Sequence, residues 1–244
     1  DDADAPFVRA GDASQALAGT GPAAYLSVEG VVAAAVAAGC DAVHPGYGFL
    51  SENAALARAC ADAGLTFVGP TAHQLETFGD KLRGRAAAEA AGVPVLAATS
   101  GATDLAAAQA FFDEHGPLMV KAVAGGGGRG MRVVRGRDEL PDALAACARE
   151  AAAAFGDGTV FVEPYVERGR HLEVQVWGDH DGTTVSVLGV RECSVQRRHQ
   201  KVVEEAPAPN LDPHTRRRMG EASFRCFKPA AVSVTCLPVQ QQEQ

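Results

Sequence analysis

Two hydrophobic rhythms meet near Pro94, and the change between them limits the architectures open to this chain. Before it, short apolar segments alternate with helical periodicity. The spacing predicts a helix over 28–38 stopped by Gly39, a strand over 41–43, and a helix over 51–63 capped by Ser51 and stopped by Gly64. A strand over 65–68 follows, then a helix capped by Thr71 and another over 80–91. Helices alternating with short strands imply a parallel, doubly wound sheet. Past Pro94 the strands crowd together, over 118–123, 132–134, 160–166, 171–177 and 184–190. Helices interrupt them only over 104–115 and over 138–155, the latter with Asp138 as cap. Within 171–177, Leu172, Val174 and Val176 fall on one face. This second half reads as a small antiparallel α+β unit set into a larger α/β protein.

Composition removes several function classes. At 244 residues with 47% apolar and 21% charged, the chain suits one large domain or two modest ones with a real core. A net charge of −8 offers no broad surface to neutralise phosphates, so general nucleic-acid binding is not expected. No apolar stretch of about 20 residues is free of charge or glycine, so no membrane span is expected. The six cysteines are scattered without a CxxC pair, which argues against a metal or disulfide framework. Cys40, Cys60 and Cys147 lie in apolar periodic segments and are expected in the core, reduced, as in a cytoplasmic protein. The ends, Asp1-Asp2-Ala3-Asp4 and Gln240 to Gln244, read as cut or altered.

Three segments carry chemical signals. The run KAVAGGGGRGM (121–131) places four glycines between two strands. Residues without Cβ let backbone N–H groups wrap phosphate oxygens. No GK[ST] follows and no helix opens there, so neither a Walker A loop nor a Rossmann fingerprint fits. Lys121 ends an apolar strand, where a lysine is costly without an anionic partner, and a phosphate contact would supply one. A basic cluster formed by Arg129, Arg132, Arg135 and Arg137 surrounds this run. The stretch over 190–205 gathers cations and amides at Arg191, Gln196, Arg197, Arg198, His199 and Lys201, then two carboxylates. That mixture suits an anion site with an internal counter-charge. The turn over 44–53 joins a strand to a helix at the sheet's carboxyl edge, where α/β sites gather.

In this order and spacing, HPGYGFLSEN (44–53), GDK (79–81), KAVAGGGGRGMRVV (121–134) and RECSVQRRHQKVVEEAPAP (191–209) resemble the biotin carboxylases, which are ATP-grasp ligases. Pyruvate and acyl-CoA carboxylases share this module, and the similarity covers about 1–221. The resemblance implies an α/β fold: an N-terminal doubly wound parallel sheet (pre-ATP-grasp) over 1–80, incomplete at its start, then an ATP-grasp domain over 81–223. Its α+β lid would cover about 95–167, and the C-terminal part of the ATP-grasp domain would be missing. Residues 224–244 form a tail unlike the family.

The same resemblance assigns roles. Lys81, Lys121, Gly127, Gly128 and Met131 match ATP-binding positions. Glu163, Tyr165 and Val166 match the hinge that reads adenine, and His171 a ribose or nucleotide contact. Gln196 and His199 match groups around the phosphates, and Lys201 the catalytic lysine that meets bicarbonate. The implied reaction forms carboxyphosphate from bicarbonate and ATP, then carboxylates biotin. Mg²⁺ ligands are expected in the missing C-terminal region, and no metal ligand is expected here. Biotin would arrive on a separate carrier domain, since no Met-Lys-Met site is present. A carboxyltransferase would be the further partner, and the full-length family includes homodimers. The chain alone is expected to bind nucleotide weakly at most and not to carboxylate. Two other readings are an inactive nucleotide-binding fragment and another ATP-grasp ligase.

Overall fold

The computed structural model describes residues 2–124, 130–179, 184–197 and 200–227, together with the backbone of 235–236. Two short helices, α1 (Pro6–Ala10) and α2 (Pro22–Tyr25), precede α3 (Val28–Ala37), whose cap Ser27 accepts from Gly30 N at 3.0 Å. β1 (Ala42–Val43) and β2 (Thr66–Phe67) pair in parallel, with α4 (Ala54–Asp62) in the crossover between them. Leu50, Leu56, Cys60 and Leu65 form their buried core against Val28, Val31 and Val32 of α3.

The cap of α4 differs from the sequence expectation. Asn53, not Ser51, closes the helix, its Oδ1 accepting from Ala55 N at 2.8 Å and Leu56 N at 3.2 Å. Ser51 is still inside the preceding turn, where its N–H donates to Gly48 O and Asn53 N–H donates to Leu50 O. That turn needs left-handed backbone at Gly46, Gly48 and Phe49, so it runs two residues longer than a Ser-capped start allows. Asn53→Ala is expected to cost about 1 kcal/mol in denaturant unfolding, with Asn53→Asp nearly neutral. Equal stability of the alanine variant would show that the cap is idle. α5 (Ala72–Gly79) is capped by Thr71 as its sequence predicts, in a capping box with Gln74, and α6 (Lys81–Ala90) is capped by Asp80.

A second unit comprises α7 (Leu105–His115), β3 (Leu118–Ala122), β4 (Met131–Val134), α8 (Leu140–Phe155) and β5 (Val160–Pro164). Its strands run antiparallel in the order β4-β3-β5, and Leu118, Val120, Val134 and Val162 pack under Ala108, Leu140, Leu144 and Cys147. Asp138 does not cap α8. Residues Arg137–Glu139 wind into a 3₁₀ turn instead, and Glu139 reaches back to accept from Gly136 N at 3.1 Å.

Beyond β5, β6 (Leu172–Gly178), β7 (Val185–Arg197), β8 (Gln200–Glu205) and β9 (Thr235–Cys236) form an antiparallel sheet in the order β8-β7-β6-β9, with α9 (Pro213–Phe227) in the chain between β8 and β9. Leu172, Val174 and Val176 are fully buried against Met219, Ala222 and Phe227 of α9, as the alternation predicts. β7 extends to Arg197, well past the expected end at 190, and the charged stretch after it is strand rather than loop. Charged and amide residues are spread through it without an apolar alternation, so apolar periodicity does not reveal it. Among the described cysteines Cys60, Cys147, Cys193 and Cys226 are buried, but Cys40 is exposed. It follows the helix-stopping Gly39 in the turn, its N–H donating to Ala35 O, and so has left the packed face of α3. No described helix is long and apolar enough to cross a membrane.

Candidate functional site

A cleft of about 210 Å³ opens between the β4-β3-β5 sheet and the second antiparallel sheet. Lys121, Met131, Glu163, Tyr165, Val166, His171 and Gln196 all line it, joined by Met119, Pro164, Gly169, Arg170 and Ser194. β3 and β5 supply one wall. Lys121 lies opposite Phe161 and Met119 opposite Glu163, so Lys121 and Glu163 are diagonal neighbours on one face. Their side chains are only 12% and 10% exposed, and they form a close ion pair. The buried lysine therefore has the anionic partner that its apolar strand demanded.

Lys81, at the first residue of α6, reaches the same corner. Its ammonium donates to Ala122 O at 3.1 Å and Val123 O at 3.5 Å, at the edge of the glycine run. Burial lowers its pKa, and the Lys121 charge lowers it further. Lys81 and Lys121 converge here, with Glu163 and the adjacent Asp80 carrying the opposing charge, so the corner holds two ammoniums that an anionic ligand could meet. Past β5 the chain turns at Tyr165, whose N–H donates to Pro117 O at 2.9 Å and whose ring lies 5.1 Å from the Arg135 guanidinium.

The opposite wall is built around His171. Its backbone N–H donates to Ser194 Oγ at 2.7 Å, and its Nδ1 lies 2.6 Å from Gln196 Nε2. That amide nitrogen also donates to Cys193 O at 2.9 Å, which fixes it as the donor and assigns the imidazole proton to Nε2. Nε2 lies 3.0 Å from Glu173 Oε1. Because Leu172, Val174 and Val176 point to α9, Glu173 points to the other face, where it is 1% exposed. There it also takes Lys201 Nζ at 2.5 Å and an ion pair from Arg191, which in turn holds Glu204.

This network sets its own protonation. Burial works to raise the Glu173 pKa, but the close polar contacts of His171 and Lys201 and the charges of Lys201 and Arg191 outweigh it and hold the carboxyl at about 2. Burial, with the Glu173 charge, pushes the Cys193 thiol up to about 11. A folded carboxyl held below its ordinary 4.5 stabilises the fold above that pH and loses the contribution as pH falls toward about 2. Acid unfolding is therefore expected to remove on the order of 3 kcal/mol through this group between those limits. Glu173→Gln should flatten the stability–pH profile there, and an unchanged profile would place the titration elsewhere.

Glu173, Cys193 and Glu204 bring ligand atoms within 4.8 Å of one another among the described residues. They do not fit Mg²⁺: both carboxylates are already engaged by Lys201 and Arg191, and a protonated thiol is the wrong donor for a hard cation.

The structure thus brings eight of the sequence candidates to one corner, the seven in the cleft wall and Lys81. Lys201 stands beside them, sharing Glu173 with His171. Gly127, Gly128 and His199 lie outside the described residues. The basic cluster after the glycine run is otherwise occupied, since Arg132, Arg135 and Arg137 pair with Glu150, Glu167 and Asp113 on the surface. Glu173, Arg170 and Ser194 were not singled out by sequence. The available signal for Glu173 was a carboxylate alternating with three apolar residues in one strand.

Two family descriptions match the chain. "Biotin carboxylase, N-terminal domain" covers residues 1–75, and "Carbamoyl-phosphate synthase L chain, ATP binding domain" covers residues 80–241. The chain is 47% identical over 207 residues to pyruvate carboxylase of Schizosaccharomyces pombe, spanning 84% of this chain and 17% of that protein. It is 47% identical over 206 residues to biotin carboxylase of Halalkalibacterium halodurans, spanning 84% of this chain and 45% of that one. It therefore spans less than half the length of these relatives. The biotin carboxylase domain dimer of Hydrogenobacter thermophilus 2-oxoglutarate carboxylase, solved with MgADP, ADP and bicarbonate, superposes with a TM-score of 0.91. That match has 39% identity and covers 95% of this chain and 51% of the other.

Proposed function

The chain belongs to the biotin carboxylase family, and on that premise we propose that it forms the ATP-binding part of an enzyme that carboxylates biotin with bicarbonate and ATP, the first half-reaction of biotin-dependent carboxylation. The observation that carries this reading is the meeting of Lys81 and Lys121 at the head of the glycine run, in the cleft that the 163–166 stretch and His171 close from the other side. The adenine lies against Glu163, Tyr165 and Val166, the ribose near His171, and the phosphates run toward Lys121, Lys81 and Gln196, with Met131 packing over the base. Gly127, Gly128 and His199, which lie outside the described residues, are assigned nucleotide binding by the family resemblance alone. Lys201, held 2.5 Å from Glu173, presents its ammonium to bicarbonate beside the terminal phosphate. ATP supplies the phosphoryl group that activates bicarbonate. The protein's part is to position the reactants and neutralise their charge.

The domain plan in this reading is 1–80, 81–223 with a lid about 95–167, and a distinct segment over 224–244. Mg²⁺, held by residues beyond those described, would supply further charge neutralisation to the phosphates. Biotin reaches the site on a carrier domain or chain, a carboxyltransferase completes the reaction, and two copies associate, as in the H. thermophilus dimer. We place the protein in the cytoplasm. A different ATP-grasp ligase is not favoured, because the N-terminal match over 1–75 is to biotin carboxylases.

Photolabelling tests the site. 8-Azido-ATP is expected to mark peptides from 160–171, with ATP competing and GTP competing poorly. Labelling confined to other segments, or indifference to ATP, would remove the assignment.

A further inference from the structure

A second polar network stands behind His171 and has no part in the contacts assigned to nucleotide above. The Glu192 carboxylate accepts four hydrogen bonds. Oε2 takes Arg170 Nε at 2.9 Å and Nη2 at 2.6 Å, while Oε1 takes Ser194 N at 3.0 Å and the Ser194 hydroxyl in a close contact. Arg170 also donates to Pro209 O at 2.7 Å and Asn210 O at 3.3 Å, which ties the network to the turn ahead of α9. Burial opposes the Glu192 charge, but the Ser194 and Arg170 donors outweigh it and hold its pKa below the ordinary carboxylate range.

The direction of these bonds matters. The Ser194 hydroxyl has one proton, and Glu192 takes it. Its lone pairs are left for the His171 backbone N–H, which donates to it at 2.7 Å. The residue before His171 is Arg170, anchored to the same carboxylate through its side chain. Glu192 therefore grips the chain on both sides of the 170–171 peptide, once through a guanidinium and once through a hydroxyl. Arg170 and Ser194 also line the cleft, so a shift in this grip moves the wall that the nucleotide meets.

We propose that Glu192 is a positioning residue for His171: through Arg170 and Ser194 it fixes where the His171 ring stands in the cleft, and so sets nucleotide affinity without touching the nucleotide. This rests on the nucleotide reading of the cleft for its functional consequence, but not for its structural one. A glutamine cannot reproduce the arrangement, because one of its two terminal atoms is a donor, and either the Arg170 pair or the Ser194 pair must be lost. An aspartate keeps the acceptors on a shorter arm.

The experiment is a double-mutant cycle on the 244-residue chain, with ADP affinity measured by calorimetry for the unmodified protein, E192Q, E192D, H171A and H171A/E192Q. E192Q is expected to weaken ADP binding about tenfold, the scale of one hydrogen bond to a charged group, with E192D recovering most of it. In the H171A background E192Q should add little, since its effect passes through His171. Full additivity, or no effect of E192Q, overturns the proposal. A second readout is independent of nucleotide: the imidazole NMR signals of His171 in the ligand-free chain, identified by their loss in H171Q. They are expected to shift in E192Q and S194A but not in E150Q, a carboxylate of α8 paired with Arg132. If the unmodified chain binds no ADP, the nucleotide reading of the cleft fails, and the NMR comparison alone decides the role of Glu192. Unmoved His171 signals in E192Q overturn it.

Discussion

Replacing Glu173 with alanine is expected to lower the unfolding free energy by about 3–5 kcal/mol, the largest effect of any single substitution in the second sheet. The carboxylate is 1% exposed and is the common partner of His171, Lys201 and Arg191. Removing it leaves two permanent cations facing each other across a buried gap, with Glu204 to answer Arg191 alone. The reverse substitutions should cost less. Lys201→Met and Arg191→Met each leave Glu173 with another cation, and both side chains are partly open to solvent. Since a domain of this size is stable by only about 5–15 kcal/mol, Glu173→Ala should shift the urea midpoint strongly. A loss under about 1 kcal/mol would mean that solvent already screens the cluster, as it does for exposed pairs.

The second large effect concerns Lys121. Changing it alone would confuse two results, because Glu163 would be left buried and unpaired. The double variant Lys121→Met with Glu163→Gln removes the pair together and keeps the volume and the strand register. Its stability is expected to stay within about 1 kcal/mol of the unmodified chain, since a buried ion pair replaced by neutral side chains is often neutral. ATP affinity is expected to fall about a hundredfold or more, because an ammonium of the cleft and the carboxylate proposed to read adenine both go. Retained affinity would show that the phosphates lie along another path.

These two residues also show what could be read in the sequence and what could not. Lys121 was legible: a lysine closing an apolar strand has to find an anion, and four glycines after it name the kind. The structure adds that Glu163 is an anion paired with it. Glu173 was hidden, because it sits in a strand whose apolar alternation explains its neighbours completely, and its partners come from 191 and 201 on two other strands. Pairings of that kind depend on register, which charge patterning alone does not supply. Caps divide in the same way. Thr71, Asp80 and Asp104 each stand directly before their helix and accept from its first free N–H groups. Ser51 and Asp138 are equally good caps by type, but a glycine-hinged turn and a 3₁₀ turn consume them before the helix begins. The chain's first sheet and the β4-β3-β5 sheet follow from periodicity. The length of β7 and the whole of β8 do not, because charged and amide residues are spread through them and the apolar Val202 and Val203 of β8 are adjacent instead of alternating.

The most direct test of the central claim, that this cleft is an adenine-nucleotide site, is calorimetric titration of the 244-residue chain with ATP, with and without Mg²⁺, beside the K121M/E163Q variant. The account predicts saturable one-to-one binding by the unmodified chain, lost in the variant while its fold is retained. A titration without heat at any ATP concentration, or equal affinity in the two proteins, would contradict it.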